Sequence, residues 1–344
     1  MTVTPGKADS ATVGDVPEPP VADGSMLVEG LLTGICGTDL ELVSGAFGSG
    51  RPGSDRLVIG HESLGRVLEA PAGSGFASGD LVAGIVRRPD PVPCVACARG
   101  EWDFCRNGQY TERGIKEMDG YGAERWRVDP YFAVPVPAEL GELGVLVEPA
   151  SILTKAWEQV DQVGARSWFA PRHVLVTGAG PIGLLAALIA RQRGYDVHVL
   201  DRVVAGPKPE LVRALGGTYI TDLGQLDAVP DVVIEATGAG QLVFDCASLL
   251  PPAGVMCLAG IHPGPATVSV QLDALVRQLV VRNAALVGTV NAGKRHYADA
   301  VDALLAADRA WLERLVTRSV PLSEWPAALV REPDDIKVVV DLRR

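Results

Sequence analysis

The chain has few aromatic residues, 5% of its 344 positions. Its longest smooth apolar stretch, Ile182 to Ala190, falls far short of a membrane span. The opening residues, MTVTPGKADSATVGDV, lack the apolar core of a secretory signal. Basic side chains are in deficit, 31 Lys and Arg against 42 Asp and Glu, giving a net charge of −11. That balance argues against nucleic acid or an anionic membrane as partner. A cytoplasmic protein without membrane contact is the expectation. Also missing are a GxSxG elbow and a GxxxxGK[ST] loop, which removes ester hydrolysis by that route and P-loop chemistry. Glu62-Ser63-Leu64-Gly65 after His61 rules out HExxH. No internal repeat and no low-complexity segment is present.

Glycine (39) and proline (25) are plentiful, as in a fold with many turns and close backbone approaches. The length favours two domains. In the first third, Met26–Leu32, Leu57–Val67 and Leu81–Val86 read as short strands punctuated by Gly, Pro, Ser and Asp. Residues 87–121 are irregular and too poor in apolar side chains to fold on a core of their own, so something must cross-link them. From about Thr154 the texture changes. His173–Thr177 reads as a buried strand, Pro181–Gln192 as an apolar helix with Pro in its first turn, and Tyr195–Leu200 as the next strand. Strands follow at Asp231–Glu235, Gly254–Ala259 and Ala285–Val290 with helical stretches between, the alternation of a doubly wound parallel α/β sheet. A helix over 296–307 and a strand over 337–342 are expected to return to the first domain. The expected division is 1–153 with 292–344, and 154–291.

Gly178-Ala179-Gly180-Pro181-Ile182-Gly183 is a GxGxxG placed after a buried strand and opening a helix, the context that makes it a dinucleotide site. Gly178 permits the tight turn, Gly180 lets the backbone approach a pyrophosphate, and Gly183 packs helix on strand. Pro181 and Ile182 form the helix N-terminus, whose free N–H groups face the phosphates. The second strand ends in Asp201, positioned to bind the adenosine ribose hydroxyls, which favours NAD. Arg202 beside it would receive the 2′-phosphate of NADP if the acid turned away.

Cys36 and His61, with Glu62 as third donor, form a set that zinc accepts, and Thr38 sets a hydroxyl beside it. Zn²⁺ with one thiolate and one carboxylate is neutral. Glu148 as a permanent fourth ligand would make the site anionic, so Glu148 is expected to come and go or to bind through water. Cys94, Cys97 and Cys105 in the irregular stretch have the spacing of a structural metal site one ligand short. Asp90 is the nearer candidate for the fourth donor and Asp103 the second; a metal-free lobe with reduced thiols is the alternative.

Taken together, GxCGTD at 34–39, GHE at 60–62, Arg87-Arg88-Pro89, Asp103-Phe104-Cys105, TERGIK at 111–116, Glu148-Pro149 and VGTVN at 287–291 resemble a zinc-dependent medium-chain dehydrogenase, and within it the glucose dehydrogenase group. The resemblance covers nearly the whole chain. It implies a GroES-like β-rich catalytic domain and a Rossmann domain. It places the catalytic zinc on Cys36, His61 and Glu62 with Glu148 as exchangeable neighbour, Thr38 first in a proton relay, and Glu112, Glu148 and Asn291 on sugar hydroxyls. Asn291 is also expected at the cofactor. Two positions depart from the group: Pro91 stands where the four-cysteine lobe has its first cysteine, and Ile152 where some sugar-binding relatives have a carboxylate.

The chemistry this implies is oxidation of an aldose at C1 to the lactone, with hydride passing to NAD or NADP. The metal lowers the pKa of the reacting hydroxyl, Thr38 takes its proton, and Glu41, one helical turn on, completes the route to solvent. The competing readings are a polyol or amino-polyol dehydrogenase giving a ketone, and a zinc-free nucleotide-binding reductase or sensor. The resemblance also implies a homodimer or homotetramer.

Overall fold

In the computed structural model, which describes residues 1–262 and 267–344, the chain divides into two compact units, Met1–Ser151 with Asn291–Arg344, and Ile152–Val290. The first crossing falls inside a single helix, Val147–Gly164. The change of texture at Thr154 marks the middle of that helix, because composition follows burial and not chain connectivity.

The first unit is built on a seven-stranded sheet. Its path runs Ala133–Val136, Leu81–Gly84, Glu62–Glu69, Met26–Ile35, Lys337–Asp341, Val316–Pro321, with Arg125–Val128 also pairing Met26–Ile35. The Met26–Ile35 strand is almost continuously buried because neighbours cover both of its edges and both faces. Met26, Val28, Val67, Val82, Tyr121 and Trp126 fill one side; Ile35, Leu57, Ile59, Val86, Trp325 and Val340 fill the other. The run read as one strand over 57–67 is two, Leu57–Val58 and Glu62–Glu69, because Gly60 at φ 98° turns the chain between them. The C-terminal tail does return to this unit: Lys337–Asp341 pairs antiparallel with Met26–Ile35, and Val316–Pro321 pairs parallel with Lys337–Asp341.

The lobe from Arg87 to Tyr121 is anchored by aromatic packing and a small sheet. Trp102, 2% exposed, packs edge-on against Tyr131 and Phe132 at centroid distances of 5.9 and 5.3 Å. A small sheet of Arg87–Arg88, Thr111–Arg113 and Glu117–Met118 closes its base.

The second unit is a six-stranded parallel sheet in the order Thr218–Ile220, Asp196–Leu200, His173–Thr177, Val232–Glu235, Val255–Leu258, Ala285–Gly288. The order reverses about His173–Thr177, the doubly wound arrangement that places a ligand site at the carboxyl end of the central strand. Cys246 and Cys257 are fully buried, and burial pushes both thiols up to about 12. His198 is core-facing with its Nε2 3.1 Å from Asp227.

Candidate functional site

Cys36 is the N-cap of the short helix Gly37–Val43. Its sulfur accepts from the Thr38 backbone N–H at 3.3 Å, and its own N–H donates to Asp39 Oδ2 at 2.9 Å. The GxCGTD run therefore folds as a reciprocal cap, which fixes the direction of the sulfur. His61 follows the turn at Gly60. Here the chain crosses residues 120–122 backbone to backbone: Gly120 N–H donates to Val58 O at 2.6 Å, Tyr121 N–H to Gly60 O at 2.8 Å and Gly122 N–H to Ile59 O at 2.9 Å. A Cβ on Gly60 would sit 2.8 Å from Gly122 N, so the crossing admits no side chain there.

These two constructions bring Cys36 Sγ and His61 Nε2 to 3.0 Å. Asp39 Oδ1 lies 3.6 Å from the other ring nitrogen, Nδ1. Cys36, Asp39 and His61 are one of two groups among the described residues whose donor atoms lie within 4.8 Å of one another. A histidine that gives one nitrogen to a metal uses the other on an orienting partner. Because Nε2 faces the sulfur, Asp39 reads as the orienting carboxylate and Nε2 as the donor. Burial opposes a charge on His61, but the Cys36 sulfur and then Asp39 outweigh it and push its pKa well above the ordinary value. Such a pocket favours a cation, and its sulfur and imidazole donors suit zinc.

Glu62 is 2% exposed, and its carboxylate is held by Lys337, with Nζ at 2.7 Å from Oε1 and 2.5 Å from Oε2. Lys337 also donates to Ile35 O at 3.2 Å. Glu148, in the first turn of Val147–Gly164, is buried; burial raises its carboxyl from 4.5 to about 7, against the pull of His61. Thr38 and Glu41 are both half-buried on the Gly37–Val43 helix.

Glu112 lies opposite Arg87 in the small antiparallel sheet. Its Oε1 accepts from Arg87 Nε and Nη2, each at 3.0 Å, and from Asn291 Nδ2 at 2.7 Å. Asn291 holds a left-handed backbone at φ 61°. In the lobe, the sulfurs of Cys94, Cys97 and Cys105 form the second group within 4.8 Å. The backbone N–H of Arg106 first, then that of Cys97, lowers the Cys94 thiol to about 6, while burial pushes Cys97 up to about 11. Asp90 is buried; its Oδ1 accepts from Val92 N–H at 2.8 Å, and its Oδ2 is buried without a hydrogen-bond partner.

In the second unit, Gly178 turns at φ 87°, and a Cβ on Gly183 would lie 1.8 Å from Gly178 O, so helix and loop meet with no room for a side chain. Gly180 has nothing within 4 Å of its Cβ direction, which leaves backbone open to an approaching phosphate. Asp201 Oδ2 accepts from Ala179 N–H at 2.7 Å and from Lys208 Nζ at 3.3 Å, and Oδ1 from Val203 N–H at 3.1 Å. Though burial opposes it, the Ala179 and Val203 N–H groups and Lys208 lower its pKa. Arg202 is exposed.

Two family models match the chain: the glucose dehydrogenase C-terminus over residues 141–342 and the alcohol dehydrogenase GroES-like domain over residues 22–138. A glucose 1-dehydrogenase of Methanocella arvoryzae is 40% identical over 99% of this chain and 98% of its own. The chain belongs to the glucose dehydrogenase family. As a member it is an oxidoreductase of the GroES-like and Rossmann architecture. A glucose 1-dehydrogenase of Thermoproteus tenax is 39% identical, covering 100% of this chain and 99% of its own. Among solved structures, a Haloferax mediterranei glucose dehydrogenase in complex with NADP, Zn and gluconolactone matches with a TM-score of 0.90 at 31% identity, over 99% of this chain and 98% of that one.

Four residues that the structure places beside these groups were given no role by the motifs. Asp39 had a signal, since an acid three positions after an N-cap is the mark of a capping box. Lys208 is a helix cation near Asp201. Arg87 was legible only as part of an Arg-Arg-Pro run, and Lys337 reaches Glu62 from the opposite end of the chain with no local signal.

Proposed function

We propose that this chain oxidises glucose or a closely similar aldose at C1 to the lactone, with NAD(P) as hydride acceptor and zinc as resident metal. The observation that carries this is the convergence of Cys36 Sγ and His61 Nε2 at 3.0 Å, in a chain of this family. When bound, zinc supplies a Lewis acid that lowers the pKa of the reacting hydroxyl. Cys36, His61 and Glu62 hold it, with Glu148 as the exchanging neighbour; Asp39 orients the His61 ring. The Thr38 hydroxyl accepts the substrate proton as it releases its own, and that proton reaches solvent by way of Glu41. Glu112, Glu148 and Asn291 bind sugar hydroxyls.

The unit Met1–Ser151 with Asn291–Arg344 is the catalytic domain and Ile152–Val290 the cofactor domain. In the latter, Gly178, Gly180, Pro181, Ile182 and Gly183 cradle the pyrophosphate, and Asp201 takes the ribose hydroxyls. Lys208 already offsets the Asp201 charge at 3.3 Å. With Arg202 beside it, that cation supports use of NADP as well as NAD, and Asn291 adds a contact to the cofactor. The lobe holds a second zinc on Cys94, Cys97 and Cys105 with Asp90 as the fourth donor.

A homodimer or homotetramer is the expected assembly. Its support is the Ala285–Gly288 strand at the sheet margin and the apolar exposure of Val276, Val280 and Val281 on the adjacent helix. No helix among the described residues is long and apolar enough to cross a membrane, and a cytoplasmic location is proposed.

The test is a panel of aldoses and cyclic polyols with NAD and NADP, run with lactone detection and zinc counting. Glucose-like turnover to lactone, with zinc bound, is expected. Full activity in metal-free protein, or turnover of polyols alone, would sink the reading.

A further inference from the structure

We propose that Arg87 is a positioning residue for sugar recognition, and that through it the order of the three-cysteine lobe sets the carboxylate of Glu112. The inference rests on Glu112 as a sugar-binding residue, as read above. Arg87 is 5% exposed and spends its whole guanidinium on protein. Nε and Nη2 go to Glu112 Oε1, each at 3.0 Å, and Nη1 donates to the Asp103 carbonyl at 3.0 Å. Its plane lies over the Tyr110 ring, 3.8 Å from the centroid.

Glu112 is thereby engaged one-sidedly. Asn291 Nδ2 joins the two Arg87 donors on Oε1, and its orientation is set by its Oδ1, which accepts from Ala292 N–H at 2.9 Å. An oxygen with three donors is saturated. No donor among the described residues reaches Oε2, so Glu112 presents one aimed acceptor to a ligand hydroxyl. Without the Arg87 fork the carboxylate could swing and exchange its oxygens.

The other end of the same guanidinium grips the lobe. Asp103 lies in the Trp102–Phe104 turn that leads directly into Cys105. The Asp103 side chain also lies against the Asn291 segment: a Cβ on Gly293 would sit 3.1 Å from its Oδ1. One turn of the lobe thus touches both elements that hold Glu112, Arg87 by hydrogen bond and the Asn291–Gly293 backbone by contact. Displacing that turn displaces the acceptor.

The experiment compares wild type, Arg87→Lys, Arg87→Gln, Glu112→Gln and Arg87→Gln/Glu112→Gln with glucose and its monodeoxy analogues. Glu112→Gln identifies the hydroxyl that Glu112 reads, as the position where discrimination falls. Both Arg87 variants should lose discrimination at that same hydroxyl, with glucose KM raised about ten- to a hundredfold. The KM for NAD(P) and the zinc content should stay at the wild-type level. Lysine cannot reproduce a planar fork, so Arg87→Lys should behave like Arg87→Gln, and the double variant should be no worse than Glu112→Gln. Hydrogen exchange at residues 102–105 and 110–116 should quicken together in Arg87→Lys. Unchanged sugar kinetics in folded Arg87→Lys, beside an affected Glu112→Gln, overturns the inference alone. Unchanged kinetics in Glu112→Gln overturns both the inference and the reading of Glu112 beneath it.

Discussion

Replacing Lys337 with Met isolates the strain that the site places on its own scaffold. The ammonium makes three hydrogen bonds, at 2.7 and 2.5 Å to the two Glu62 oxygens and 3.2 Å to Ile35 O. Side-chain exposures are 1% for Lys337 and 2% for Glu62, so no solvent stands ready to take the place of the lost partner. Methionine fills the space of the aliphatic stem and removes the ammonium charge. An uncompensated buried carboxylate costs about 3–5 kcal/mol, which for a unit of this size lowers Tm by roughly 6–20 °C. The double change Lys337→Met/Glu62→Gln should recover most of that loss, because neither remaining group needs an ion partner. Zinc adds a second test. If Glu62 is a donor to the metal, a dication replaces the missing ammonium, and the Tm difference between zinc-loaded and chelator-treated protein should be wider in Lys337→Met than in wild type. Thermal unfolding by circular dichroism in chelator and in zinc gives both readings. A Lys337→Met protein within about 0.5 kcal/mol of wild type in chelator would refute the buried-pair reasoning. An unwidened zinc gap would remove Glu62 from the ligand set.

Cys36→Ser should lose zinc and activity together while still binding NAD(P)H, measured by metal analysis, turnover and fluorescence titration. In metal-stripped protein, Glu148 titrates near 7 against 4.5 unfolded, so the folded state binds the extra proton between those values and stability falls as pH rises through them. The accumulated cost above pH 7 is roughly 3 kcal/mol. Glu148→Gln should therefore stabilise the stripped protein at pH 8 and give no gain near pH 4.5, read by urea unfolding at the two pH values. Gly183→Ala forces a Cβ onto Gly178 O, 1.8 Å away, and should weaken NAD(P)H binding by about a hundredfold or more while leaving zinc content unchanged.

Local chemistry was readable from sequence wherever the determinant is local. His173–Thr177 and Pro181–Gln192 sit where periodicity and the proline put them, because a buried parallel strand and an N-terminal proline each carry their own signature. Cys36 and His61 stand in recognisable local motifs, GxCGTD and GHE, and the structure brings their donor atoms together. What escaped was pairing over long separations. The Val316–Pro321 strand carries only two apolar side chains before its proline, Val316 and Val320, and is recognised by its pairing with Lys337–Asp341. Lys337 reads as an ordinary strand-end cation until the tail carries it under Glu62. The helix Val147–Gly164 was not read from sequence; its residues up to Ser151 belong to one unit and those from Ile152 to the other.

The crossing of 58–60 with 120–122 has a consequence for how this enzyme can change. His61 takes its position from main-chain hydrogen bonds and close glycine contacts at the seam, with the Thr33 hydroxyl and the Met1 side chain close beside the glycines. The hydrophobic filling on that side of the seven-stranded sheet can therefore drift, and side chains such as Val28 or Val82 can be exchanged, without moving the imidazole. The seam itself tolerates no such drift. Altered metal or substrate preference in this scaffold should come from exchanging what stands around His61, with the histidine serving as a fixed origin for the rest of the site.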